Sequence, residues 1–79
     1  MYRVEYTAQA KAARDELPFL AKRALDALVL RMRMDPTSVG RSTGGDMRNR
    51  IAEFGNYGLV FYFDDMQGLI TIRDIVWGK

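Results

Sequence analysis

Seventy-nine residues without a cysteine or a histidine leave room for one small core and exclude both disulfides and an ordinary zinc site. Net charge is only +2, yet residues 1–50 hold ten basic and six acidic side chains while residues 51–79 hold two and four, so the positive excess sits early in the chain. Nine of the twelve cations are arginine, whose planar fork suits phosphate, although a GC-rich coding bias would give the same composition.

Tyr2-Arg3-Val4-Glu5-Tyr6 alternates apolar and charged residues, which predicts a strand with Tyr2, Val4 and Tyr6 facing a core. Thr7 is placed to cap a helix that begins in the alanine-rich run 8–16. Leu17-Pro18 breaks that helix, and Pro18 suits the first turn of the next. Over residues 19–34, Ala21, Ala24, Leu25, Leu28 and Met32 recur at helical spacing, and Phe19, Leu20, Val29 and Leu30 widen the stripe. Lys22, Arg23, Asp26, Arg31 and Arg33 take the solvent side, and Asp35-Pro36 ends the hairpin.

Thr37 to Asp46 reads as a loop with three glycines and several hydroxyls. It lacks the Gly-Lys-Ser/Thr ending of a P-loop and follows a helix, so nucleotide binding there is not expected. Arg41 is its one cation and is expected to touch a partner.

Arg48 to Glu53, Leu59 to Phe63 and Leu69 to Trp77 are rich in β-branched and aromatic residues and are separated by Gly55-Asn56 and by Asp64-Asp65-Met66-Gln67-Gly68. They predict a three-stranded antiparallel meander. The expected class is therefore α+β: an N-terminal strand, a helical hairpin, then the meander, with helices packed on one face of the sheet and the other face left for function. No repeat or linker divides residues 1–79, so a single domain is expected. No apolar run approaches the length of a spanning helix, which makes a cytoplasmic protein without membrane contact the expectation.

Period two puts Arg48 and Arg50 on one face of their strand, with Met47, Asn49 and Ile51 on the other. The arginine-out register is expected because arginines turned into the core would be buried without partners; in the opposite phase Ile51 and Glu53 take the exposed face. Alternation in the last strand places Thr71, Arg73 and Ile75 together, with Asp74 free to pair with a basic neighbour.

In order and spacing these features resemble the RelE/ParE toxin superfamily of toxin–antitoxin modules. The likeness runs through Tyr2-Arg3-Val4-Glu5-Tyr6-Thr7, the hairpin ending in Met34-Asp35-Pro36, the glycine-containing loop, Arg48 and Arg50, Gly55-Asn56-Tyr57, Leu59-Val60-Phe61-Tyr62 and Arg73. It covers nearly the whole chain.

The resemblance implies a type II toxin acting as a ribosome-dependent mRNA endoribonuclease. It implies cleavage by attack of the ribose 2′-hydroxyl on the phosphate, without metal or cofactor. Expected catalytic residues are Arg48, Arg50, Arg73 and Lys79, and expected RNA-binding residues are Arg41, Arg48 and Arg50. Implied partners are a cognate antitoxin, the ribosome and its message, and operator DNA reached through the antitoxin. The antitoxin would cover the apolar stripe of helix 19–34 and be acidic where it meets Arg31, Arg33 and Arg41.

Two departures from the pattern bear on activity. Gly58 stands where an arginine commonly follows the turn tyrosine, and the sequence stops at Trp77-Gly78-Lys79, before the C-terminal basic and tyrosine positions of many RelE-like sites. Lys79 is the candidate substitute for the C-terminal basic position; Tyr57 and Tyr62 are more readily read as packing. Two alternatives therefore stand beside the nuclease: a ParE-like inhibitor of DNA gyrase, and a catalytically degenerate binding module on the toxin fold.

Overall fold

The structure, a computed structural model, describes residues 1–78. Its elements run β1 (Arg3–Tyr6), α1 (Ala8–Asp15), α2 (Phe19–Met34), β2 (Arg41–Ser42), β3 (Asn49–Phe54), β4 (Gly58–Asp64) and β5 (Leu69–Trp77). The expected α+β class holds, with both helices against one face of the sheet. Two features go beyond the sequence reading. The sheet has five strands in the order β1-β5-β4-β3-β2, and β1 joins it parallel to β5, making the sheet mixed.

Local chemistry explains the hairpin. The Thr7 hydroxyl accepts from the Ala10 backbone N–H at 3.1 Å, capping α1, and donates to the Arg73 carbonyl at 3.0 Å, tying that cap to β5. Pro18 takes the N-cap of α2, one position before the first-turn place expected from sequence. Arg14 and Asp26 pair bidentately across the two helices.

Ala21, Leu25, Leu28 and Met32 of α2 are buried against Val60, Tyr62, Ile70, Ile72 and Ile75 of the sheet. Val4 and Tyr6 pair beside Ile70 and Ile72 on this same side, as their alternation predicts. The stripe of α2 is narrower than expected: Phe19 (70% exposed), Leu20 (75%) and Leu30 (55%) lie in solvent rather than in the core. At about 25 cal/mol per Å² of apolar surface, those three side chains are a standing incentive for a partner.

The Gly-rich segment is not wholly a loop, since Arg41 and Ser42 pair with Ile51 and Arg50 of β3. Gly40 makes this possible. It has φ +64, and a Cβ there would meet the Ile51 carbonyl oxygen, so only glycine brings the backbone this close.

Candidate anion-binding site on the open sheet face

The phase of β3 is opposite to the arginine-out expectation. Ala52 and Phe54 are buried beneath the helices while Glu53 is exposed, so Arg50, two residues before Ala52, points to the helix side. Its charge is not abandoned there. Arg50 Nε donates to the Tyr62 hydroxyl at 3.0 Å and Nη2 to the Val39 carbonyl at 3.1 Å. The Tyr62 hydroxyl lies 3.0 Å from both the Pro36 and Val39 carbonyls, to which it offers its single proton. The premise that an inward arginine lacks partners fails because one carbonyl and a phenol supply them. Arg50 is thereby removed from the open face.

Burial raises the Tyr62 hydroxyl above its ordinary pKa despite the opposing Arg50 charge, which keeps it a neutral donor. Tyr62→Phe should lower stability by about 1–3 kcal/mol, because it leaves the Arg50 N–H and a carbonyl short of partners. Urea unfolding of wild type and variant measures the difference.

Arg48 and Arg73 do share a neighbour. Leu59, Phe61 and Phe63 alternate with the buried Val60, Tyr62 and Asp64, so they occupy the uncovered face. Arg73 lies over the Phe63 ring with its guanidinium carbon 4.6 Å from the centroid, and Arg48 lies over it at 5.1 Å. Both are within cation–π range. Arg73 Nη1 also donates to the Asn49 side-chain oxygen at 3.3 Å, reaching across the strand that carries Phe63.

The convergence depends on a bulge. Phe61 pairs with Asp74 and Tyr62 with Ile72, leaving Arg73 as the extra residue. A bulge breaks strict alternation and re-aims side chains. Thr71 and Arg73 stay on the open side, but Ile75 is buried, contrary to its expected grouping with them. Asp74 makes no expected ion pair among the described residues; its carboxylate accepts the Ile75 N–H at 2.8 Å.

A carboxylate already occupies part of this site. Asp46 accepts from Arg48 Nε at 3.0 and 3.1 Å, from Nη2 at 2.7 Å and from the Arg48 backbone N–H at 3.0 Å. These hydrogen bonds from Arg48, aided by the charge of Arg73, hold the Asp46 carboxyl down to about 2. The pair is exposed, so water and salt screen it and an incoming anion can replace it.

A carboxylate depressed in the folded state contributes its pairing above the unfolded pKa and loses it as pH falls through the folded one. The Asp46–Arg48 arrangement should therefore be intact above the ordinary aspartate range and dissolve only near pH 2. Arg48→Ala should return the Asp46 midpoint to the ordinary range, measured by carboxyl carbon NMR titration.

The remaining candidates lie elsewhere or outside view. Arg41 sits on the edge strand across from Ile51. Lys79 lies outside the described residues. Gly58 is buried facing the core, where an added Cβ would run into the Phe54 ring. Tyr57 is half exposed at the β3–β4 turn, its carbonyl accepting from the Gly78 N–H at 3.2 Å. Sequence reasoning missed Phe63, Asn49 and Asp46 as parts of the site. The available signal was Asp46 two residues before Arg48, together with Phe63 in the opposite phase to a core tyrosine.

Neither a family model nor a curated protein matches the sequence. Solved structures do match in backbone. The toxin–antitoxin complex RelBE of E. coli contains a chain that superposes with a TM-score of 0.84 at 10% identity, covering 100% of this chain and 99% of that one. The chain has the RelE fold. The archaeal RelE–RelB complex of Pyrococcus horikoshii aligns at 0.71 and 18% identity over 96% of this chain and 93% of that one. RelBE2 of Mycobacterium tuberculosis aligns at 0.73 and 22% identity, covering 98% of each. With so little sequence shared, the likeness to RelE is one of backbone, and the Arg48–Phe63–Arg73 arrangement stands on its own geometry.

Proposed function

We propose that this chain is the toxin of a type II toxin–antitoxin pair, a ribosome-dependent endoribonuclease that engages an RNA phosphate at Arg48 and Arg73. The observation that carries the reading is the contact of both guanidiniums with the one Phe63 ring on the open face of the sheet. In 2′-hydroxyl attack, the oxygen bonds to phosphorus, the P–O5′ bond breaks, and a 2′,3′-cyclic phosphate and a 5′-hydroxyl result. Charge grows on the non-bridging oxygens, and fixed cations facing them stabilise it. Asp46 marks the anion's place, because its two oxygens meet the Arg48 fork as phosphate oxygens would. Its low pKa makes it a poor base, so the proton must pass to the 5′-oxygen through the ribosome or water.

An antitoxin partner fits both the solved complexes of similar fold and the exposed Phe19, Leu20, Leu30 and Met34 of α2. The RNA, ribosome and operator contacts belong to the same proposal, as does a cytoplasmic setting. Among the described residues no helix is long and apolar enough to cross a membrane.

One observation favours a second reading, a toxin-fold module that holds another protein without chemistry: the position of the usual third cation is Gly58, closed off by Phe54. Induced expression with mapping of RNA ends separates the readings. A nuclease gives cuts within translated messages. Intact messages with DNA damage and filamentous cells indicate gyrase inhibition, and unimpaired growth indicates the module.

A further inference from the structure

We infer that Phe63 is a positioning residue whose ring holds the Arg48 and Arg73 guanidiniums in a two-cation clamp for phosphate. This rests on the proposed use of that face.

Two guanidiniums repel, and on an exposed surface each long side chain has many rotamers to choose from. Something must hold them together if they are to meet one anion. Asp46 binds Arg48 through four hydrogen bonds but has none to Arg73, and Asn49 holds Arg73 through a single long one. The contact they share is the Phe63 ring, at 5.1 and 4.6 Å from the two guanidinium carbons. The π density of the ring attracts both cations without itself taking up an N–H donor.

The backbone puts the ring in the right place. Phe63 pairs with Asn49 on one side and Thr71 on the other, midway between the strand edge carrying Arg48 and the bulge carrying Arg73. A leucine at 63 would fill similar space on an open face and offer neither cation anything. Phe61, the neighbouring aromatic on this face, has no arginine over it among the described residues. The arrangement is therefore specific to 63.

The test uses the full chain and inorganic phosphate. The Nε–H signals of Arg48 and Arg73 are followed by NMR during phosphate titration of wild type, Phe63→Leu, Phe63→Trp, and a variant carrying pentafluorophenylalanine at 63, alongside Arg48→Ala and Arg73→Ala. Wild type should show both Nε–H signals shifted upfield by the ring and both moving with phosphate. Phe63→Leu should lose the ring shift and weaken phosphate binding roughly tenfold, the combined loss of two exposed cation–π contacts. Pentafluorophenylalanine keeps the shape and reverses the ring's electrostatics, so it should weaken binding equally, whereas Phe63→Trp should bind as well as wild type or better.

Phosphate affinity unchanged in the fluorinated variant but lost in Arg48→Ala would overturn the role of Phe63 and leave the clamp standing. Affinity unchanged in both arginine variants would remove the clamp, and the inference with it. If Phe63→Leu does not fold, the fluorinated and tryptophan variants decide.

Discussion

Arg48→Ala and Arg73→Ala should each lower RNA cleavage by roughly a hundred- to thousandfold, the loss typical of one fixed donor to a developing oxyanion. The double variant should let cells grow while leaving antitoxin binding and the unfolding midpoint near wild type, because both side chains are surface groups above the sheet. Arg50→Ala separates position from charge. It should destabilise the protein by removing a partner of Tyr62 and Val39, yet the folded fraction should cleave as wild type does. RNA-end mapping and calorimetry on the same variants read the two effects independently. Full toxicity in the Arg48/Arg73 double variant would exclude the open-face cations from the reaction.

Gly58→Arg is the second large effect, and its direction runs against what the resemblance implies for this position. An arginine at 58 should cost about 3–5 kcal/mol, because a cation would enter a buried position without a partner. The steric penalty begins at the first carbon, since a Cβ at 58 already meets the Phe54 ring. Gly58→Ala isolates that part, and pairing it with Phe54→Leu should recover some of the loss, as neighbours in contact do not act additively. Unfolding curves for the four combinations measure the coupling. A stable, more active Gly58→Arg protein would mean that this strand start turns outward on substitution.

The order of elements was legible because periodicity and punctuation agreed: Thr7 before an alanine run, Pro18 and Pro36 at the helix limits, and alternating Tyr2-Val4-Tyr6. What stayed hidden depended on contacts between distant residues. The two-residue β2 is too short to show alternation, and Gly40 admits it by a close approach to Ile51 that no local pattern announces. The phase of β3 turned on whether Arg50 has partners on the helix side, which only the fold brings to it from residues 39 and 62. The bulge at Arg73 defeats any period-two rule applied to β5. Arg48 and Arg73 could be picked out as arginines on neighbouring β segments, but the ring that unites them could not.

The parallel pairing of β1 with β5 joins the beginning of the sheet to its last strand. A growing chain can wind both helices early, yet Val4 and Tyr6 have no ladder to join until Leu69 to Ile72 has been synthesised. Ile70, Ile72 and Ile75 are missing from the interior until then, and Arg73 is missing from its place opposite Arg48. Contacts this far apart in sequence form late. The cationic pair is thus a property of the closed sheet: Arg73 reaches the Phe63 ring only once β5 lies between β1 and β4.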